Sequence, residues 1–190
     1  ALAAVDRWMD RPSPRSLRGA GGALFLLALT RYEGWAIAVA LVTAAACVRR
    51  DRGTAVLAAS VLSAIALFLL LGYGATGQWF VSSGFFVPDN PSRHSVASVL
   101  DDVFTSTREL GGSVVVFAGL GGCLASLVMV RTAPWALAPL ALYAAAALPL
   151  AAFYEGHPHR VRYMVPLVAA SGVLAAVGVA RLPRRLRTTA

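Results

Sequence analysis

The chain reads as an all-α, polytopic membrane helix bundle of about six segments. It includes a short hairpin near 19–48 and an amphipathic helix on the outer face near 95–110. Three observations predict this architecture. Hydrophobic residues fill 58% of the 190 positions and only 14% are charged, where soluble domains carry about 25%; the mean hydropathy is +0.68. Apolar runs approaching the roughly 20 residues that a bilayer crossing requires recur along the chain. Most of the arginines flank those runs instead of interrupting them. The whole chain, 1–190, reads as a single membrane domain.

The first stretch, "DRWMDRPSPRSLR", reads as a polar loop. It begins in mid-flow, without an initiating Met or a secretory signal pattern, so the chain is expected to be a fragment of a larger membrane protein. Next come two short apolar runs, Gly19–Thr30 and Trp35–Val48, separated by "TRYEGW". At 1.5 Å per residue they reach only about 18 and 21 Å, short of the roughly 30 Å hydrocarbon layer. Together they form a hairpin with its tip below the membrane surface. The competing reading is one helix from Leu17 to Val48, about 48 Å long and basic at both ends.

Full-length spans are expected at Ala55–Tyr73, Gly112–Val130, Trp135–Phe153 and Met164–Ala180. Between the first two lies a long loop, from about Gly74 to Leu110. Its aromatic residues Trp79, Phe80, Phe85 and Phe86 suit either an interfacial belt or a substrate groove, and its Pro-Asp-Asn-Pro run is a turn. From Val96 onward, Val99, Leu100, Val103 and Phe104 recur with helical period. With Ser95 as a cap, this predicts a helix lying on the outer leaflet. Asp101 and Asp102 fall on or beside its polar face and read as solvated more readily than as a catalytic pair.

Charge orders the topology. All 17 basic residues are arginine, and the net charge is +8. Nucleic acid is not the partner, because the arginines flank apolar spans. With six segments and both termini cytoplasmic, Arg7, Arg11, Arg15, Arg18, Arg49, Arg50, Arg52, Arg131, Arg181, Arg184, Arg185 and Arg187 all fall inside, as the positive-inside rule requires. Cys47 and Cys123 both lie within apolar runs, which argues against a disulfide framework.

The opposite face then receives Arg31, Arg93, Arg108, Arg160 and Arg162, six acidic residues and all three histidines. A charge at membrane depth costs about 2.5–3.5 kcal/mol on insertion scales, so Arg31 and Glu33 at the hairpin tip need a reason. Guanidinium groups bind phosphate oxygens bidentately and stay charged. Arg31, Arg160 and Arg162 are therefore candidates for an anionic lipid headgroup, with Glu33 and Tyr163 beside them. The competing reading pairs Arg160 and Arg162 with Glu155 and with bulk lipid phosphates. Asp89, Asn90, His157 and His159 form a possible substrate loop. Two histidines without a third ligand do not make a metal site, and no cofactor is indicated.

Thr30-Arg31-Tyr32-Glu33-Gly34 between apolar segments resembles the L-T-R-x-E-G signature of GT-C superfamily glycosyltransferases. Arg162-Tyr163 followed by Met164-Val165-Pro166 similarly resembles the R-Y-x-x-P motif at a late helix of those enzymes. The resemblance covers the layout of most of the chain and rests on about ten residues. It implies a multi-pass enzyme of the cell membrane that transfers a sugar from a polyprenyl-phosphate carrier on the extracytosolic face. It further implies that Arg31 and Arg162, with Arg160, hold the lipid-linked phosphate, and that Glu33 orients Arg31 or contacts the sugar. The family's catalytic acid belongs to a first outer loop that no stretch here matches, so the catalytic residue stays unassigned. The alternatives are a transporter or flippase for a lipid-linked or anionic solute, and a non-catalytic membrane scaffold.

Overall fold

The computed structural model describes residues 1–30, 32–79, 90–130 and 136–181. Those residues are helical or in turns, with no strand among them. Three helical segments are long and apolar enough to cross a membrane: Arg52–Thr76, Leu137–Tyr154 and Val161–Ala180. A fourth candidate is a pair of helices bent by 116° at Gly112. The protein is thus multi-pass and, over its described residues, all-helical, with three or four candidate spans, fewer than the six membrane segments expected; the expected span Gly112–Val130 qualifies only together with the helix before it.

The N-terminal stretch departs from the expected polar loop. Residues Leu2–Asp10 form a helix, α1, which buries Val5, Trp8 and Met9. These residues recur at i, i+3 and i+4, the spacing of one helical face. Trp8 receives the Arg49 guanidinium over its ring at 5.8 Å.

Helices α2 (Pro14–Thr30) and α3 (Tyr32–Val48) follow. They are not one continuous rod. The Trp35 indole N–H donates to the Ala28 carbonyl at 2.7 Å, and a Cβ at Gly34 would collide with the Leu27 carbonyl group. Neither contact is within reach seven residues apart along a straight helix, where the rise is about 10 Å. The chain therefore reverses at the tip, and only glycine admits the approach. Tyr32, Trp35 and Phe68 stack edge to face around the turn, with centroids 5.0–5.5 Å apart. At the opposite end of α3, the Asp51 carboxylate caps α4 (Arg52–Thr76) by accepting from the Thr54 N–H at 3.1 Å.

Helices α5 (Val96–Gly111) and α6 (Ser113–Met129) make the bent pair. The Ser95 side chain accepts from the Ser98 N–H at 3.3 Å, as expected of an N-cap. The segment expected to be one long apolar helix is instead divided. It runs as α7 (Leu137–Leu140), a six-residue 3₁₀ stretch (Ala141–Ala146) and α8 (Ala147–Tyr154). A second 3₁₀ turn, Val161–Met164, leads into α9 (Val165–Arg181). Helices α6 and α9 form the tightest pair, packed through Gly119, Gly122, Ser171 and Gly178, the small-residue interface that lets membrane helices approach backbone to backbone.

Two buried clusters hold these helices together. One joins Val5, Trp8, Leu24, Leu41, Leu57 and Val61, from α1 to α4. The other joins Val99, Val103, Phe153, Met164 and Leu167, with Ile37 of α3 packed against it. Ile37 lies a turn and a half into α3, so the hairpin tip and the second cluster share one end of the bundle.

Candidate functional site

The site at that end is built by two segments distant in sequence. Asn90 opens a turn: its side-chain oxygen accepts from the Ser92 N–H and its carbonyl from the Arg93 N–H, both at 3.0 Å. The second segment leaves α8 at Tyr154, where Gly156 adopts φ +96°. That backbone conformation favours glycine. A side chain there would also press on the Arg93 stem, whose Cδ would lie 3.1 Å from the added Cβ.

Three hydrogen bonds clamp the segments together. The His94 N–H donates to the Tyr154 carbonyl at 2.9 Å. The Asn90 amide donates to the His157 carbonyl at 3.0 Å. Ser106 Oγ and His159 Nε2 share a hydrogen bond of 2.6 Å. One ring contact reinforces the clamp, His94 against Tyr154 at 5.4 Å, while Phe153 against His159 at 5.2 Å and His157 against Tyr163 at 5.7 Å brace the second segment internally. Asp102 is not simply solvated; its half-buried carboxylate accepts from the hydroxyl of buried Ser92. Asp101 is exposed, as expected of the polar face.

Immediately after the clamp come Arg160 and Arg162, both exposed. Among the described residues neither forms an ion pair, and Glu155 pairs with neither. The competing expectation, that Glu155 neutralises them, is therefore not met within the chain. The Arg162 guanidinium lies 5.6 Å from the ring of half-buried Tyr163, within the range of a cation–π contact. The Tyr163 N–H donates to the Arg160 carbonyl at 3.0 Å, which makes this stretch a tight turn.

The structure thus brings together Asn90, His157, His159, Arg160, Arg162 and Tyr163. Arg31 and Asp89 lie outside the described residues, as do Phe80, Phe85, Phe86 and Arg131. Glu33 is buried, at 4% exposure, in the first turn of α3. The triplet Tyr-Glu-Gly occurs at 32–34 and again at 154–156, and is used differently: the first buries its glutamate at a helix start, the second exposes it at a helix end. Ser92, Ser106 and Tyr154 were not singled out by sequence reasoning, and Arg93 only as one of five arginines on the outer face. Ser106 and His159 are 53 residues apart, and no local pattern couples them. Among the described residues, no group of three His, Cys, Asp or Glu side chains is placed to hold a metal ion. The two cysteines are free thiols.

An open apolar groove of about 720 Å³ runs along α3 from Trp35 to Cys47, closed on its far side by Leu140, Ala144 and Ala147. Scans against protein-family models, curated proteins and solved structures found no match.

Proposed function

We propose that this chain is the membrane region of a GT-C-like glycosyltransferase that takes a sugar from a polyprenyl-phosphate carrier on the extracytosolic face. In this reading the chain has six membrane segments with both ends cytoplasmic, and the tip of the α2–α3 hairpin is sunk below the outer membrane surface. Arg160 and Arg162, with Arg31, hold the carrier phosphate. Their guanidinium groups stabilise the charge that grows on that phosphate as the sugar departs. Tyr163 supports Arg162, and Glu33 orients Arg31 or contacts the sugar. Asp89, Asn90, His157 and His159 border the sugar.

One observation carries the reading. Arg160 and Arg162 are exposed on a turn held by a hydrogen-bonded clamp, and they have no acidic partner among the described residues. Guanidinium groups on a braced turn, with no acidic partner among the described residues, suit a phosphate. The groove between α3 and the Leu137–Tyr154 segment has the chemistry to take part of an isoprenoid chain. One feature favours the transporter reading instead. The Leu137–Tyr154 span is interrupted by a 3₁₀ stretch, and broken helices line the substrate sites of many transporters.

The test is a double-mutant cycle on polyprenyl-phosphate binding to the full-length protein, using Arg31→Ala, Arg162→Ala and the pair. Losing a charge-assisted hydrogen bond costs about 1.5–3 kcal/mol, roughly ten- to a hundred-fold in affinity. If both arginines serve one phosphate, the pair loses less than the sum of the single losses. Unchanged affinity in both single variants refutes the site. A protein that moves carrier between leaflets without forming a glycosidic bond would support the transporter reading.

A further inference from the structure

We infer that α5 is a membrane-docking helix, with Val96, Leu100 and Phe104 seated among the lipids of the adjoining leaflet. This does not depend on the glycosyltransferase reading. The sequence period groups Val96, Val99, Leu100, Val103 and Phe104 into one stripe, but the structure splits that stripe in two. Val99 and Val103 are buried against Phe153 and Met164. Val96, Leu100 and Phe104 remain 61%, 53% and 39% exposed.

At about 100° per residue, α5 divides into three sectors. One sector, with Val99, Val103 and Ser106, faces the protein. The next, with Val96, Leu100 and Phe104, is apolar and uncovered over the first nine residues; nearer the bend the same sector returns to the protein at buried Thr107 and at Gly111, which lies against Val168. The third, with Asp101, Thr105, Arg108 and Glu109, is polar. A helix lying in water at a protein surface needs only two sectors, one apolar and one polar. A third, apolar and uncovered, requires a second apolar phase.

Two further observations identify that phase as lipid. The 116° bend to α6 lays α5 across the direction of the candidate span. Phe104 also meets Phe117 of α6 edge to face at 6.2 Å. Phe117 shares an exposed face of α6 with Val114, Leu124 and Val128, opposite the face packed on α9, so it is the lipid-facing side of that helix. The uncovered sector of α5 therefore continues the lipid-facing surface around the bend. Arg108, at the boundary with the polar sector, sits where a side chain can reach headgroup phosphates while its stem stays on apolar surface.

The test places one spin label at a time at Val96, Leu100, Phe104, Asp101 or Val103. The protein carries Cys47→Ala and Cys123→Ala and is reconstituted in phosphatidylcholine–phosphatidylglycerol vesicles. Collisions with oxygen, which concentrates in lipid, are compared with collisions with a water-soluble nickel chelate. Labels at Leu100 and Phe104 are expected to favour oxygen several-fold over the label at Asp101, while the label at Val103 is shielded from both. High nickel accessibility at Leu100 and Phe104 would place the sector in water and overturn the inference. Exclusion of both reagents there would mean a protein partner or a second copy covers the sector, which overturns it equally.

Discussion

Gly122→Ala tests the tight pairing of α6 and α9. A Cβ at Gly122 would collide with the Leu174 carbonyl, leaving the carbonyl carbon 2.5 Å away and the Ala175 nitrogen 3.3 Å away. Carbon atoms rest at about 3.5–4.0 Å, so the helices must part locally by about 1 Å, enough to forfeit a quarter to a half of the dispersion well at neighbouring contacts. Overpacking of this kind costs about 1–3 kcal/mol. Gly121→Ala is the internal control, because a Cβ there meets nothing within 4 Å. Both variants gain the same helix propensity, up to about 1 kcal/mol, so the difference between them isolates the packing cost. Unfolding by SDS titration in mixed micelles, followed by far-UV circular dichroism, should place Gly122→Ala about 1–3 kcal/mol below Gly121→Ala. Coincident midpoints would refute the backbone-to-backbone approach of the two helices.

Two further predictions follow from the ends of the bundle. Ser106→Ala removes the hydroxyl that meets His159, at a net cost of about 0.5–1.5 kcal/mol; hydrogen exchange across 155–163 should speed up in this variant and in Asn90→Ala, and unchanged exchange in both would show that the clamp does not fix the arginine turn. The Thr54 N–H that bonds Asp51, aided by Arg49, holds the Asp51 carboxyl below the usual carboxylate value, so its stabilisation is full above that value and lost as pH falls through the lowered one; Asp51→Ala should melt below wild type at neutral pH and converge with it in strong acid, whereas a gap independent of pH would contradict the capping role.

Much of the helix plan was legible, because its signals are local. Ser95 marks the start of α5, and the long apolar runs mark the spans. "TRYEGW" marks a reversal, since neither flanking run is long enough to cross alone. What failed did so for identifiable reasons. In α1 the apolar face of Val5, Trp8 and Met9 is interleaved with Asp6, Arg7 and Asp10 within nine residues, so charge masked the period. In α5 the sequence shows apolar positions but not which of them meet protein and which meet lipid, because both environments select the same side chains. The 3₁₀ stretch Ala141–Ala146 lies in an alanine-rich run flanked by Pro139 and Pro149; Pro149 cannot donate to the Ala145 carbonyl, a cue that the hydropathy of the run masked. The clamp pairs Asn90 with His157 and Ser106 with His159, across 67 and 53 residues, and periodicity holds no information on such pairs. The two arginines were legible as candidates. Their lack of an acidic partner among the described residues needed the structure.

The central claim, that these arginines recognise a phosphate on a long apolar carrier, is tested most directly by varying the headgroup alone. Affinities of the full-length protein for a polyprenyl phosphate and for the uncharged polyprenol of the same length are compared in matched detergent micelles. Loss of one charge-assisted hydrogen bond predicts about ten- to a hundred-fold weaker binding of the alcohol. The preference should collapse in the Arg160→Ala, Arg162→Ala double variant. Equal affinity for the two lipids, or a preference that survives removal of both arginines, would contradict the account.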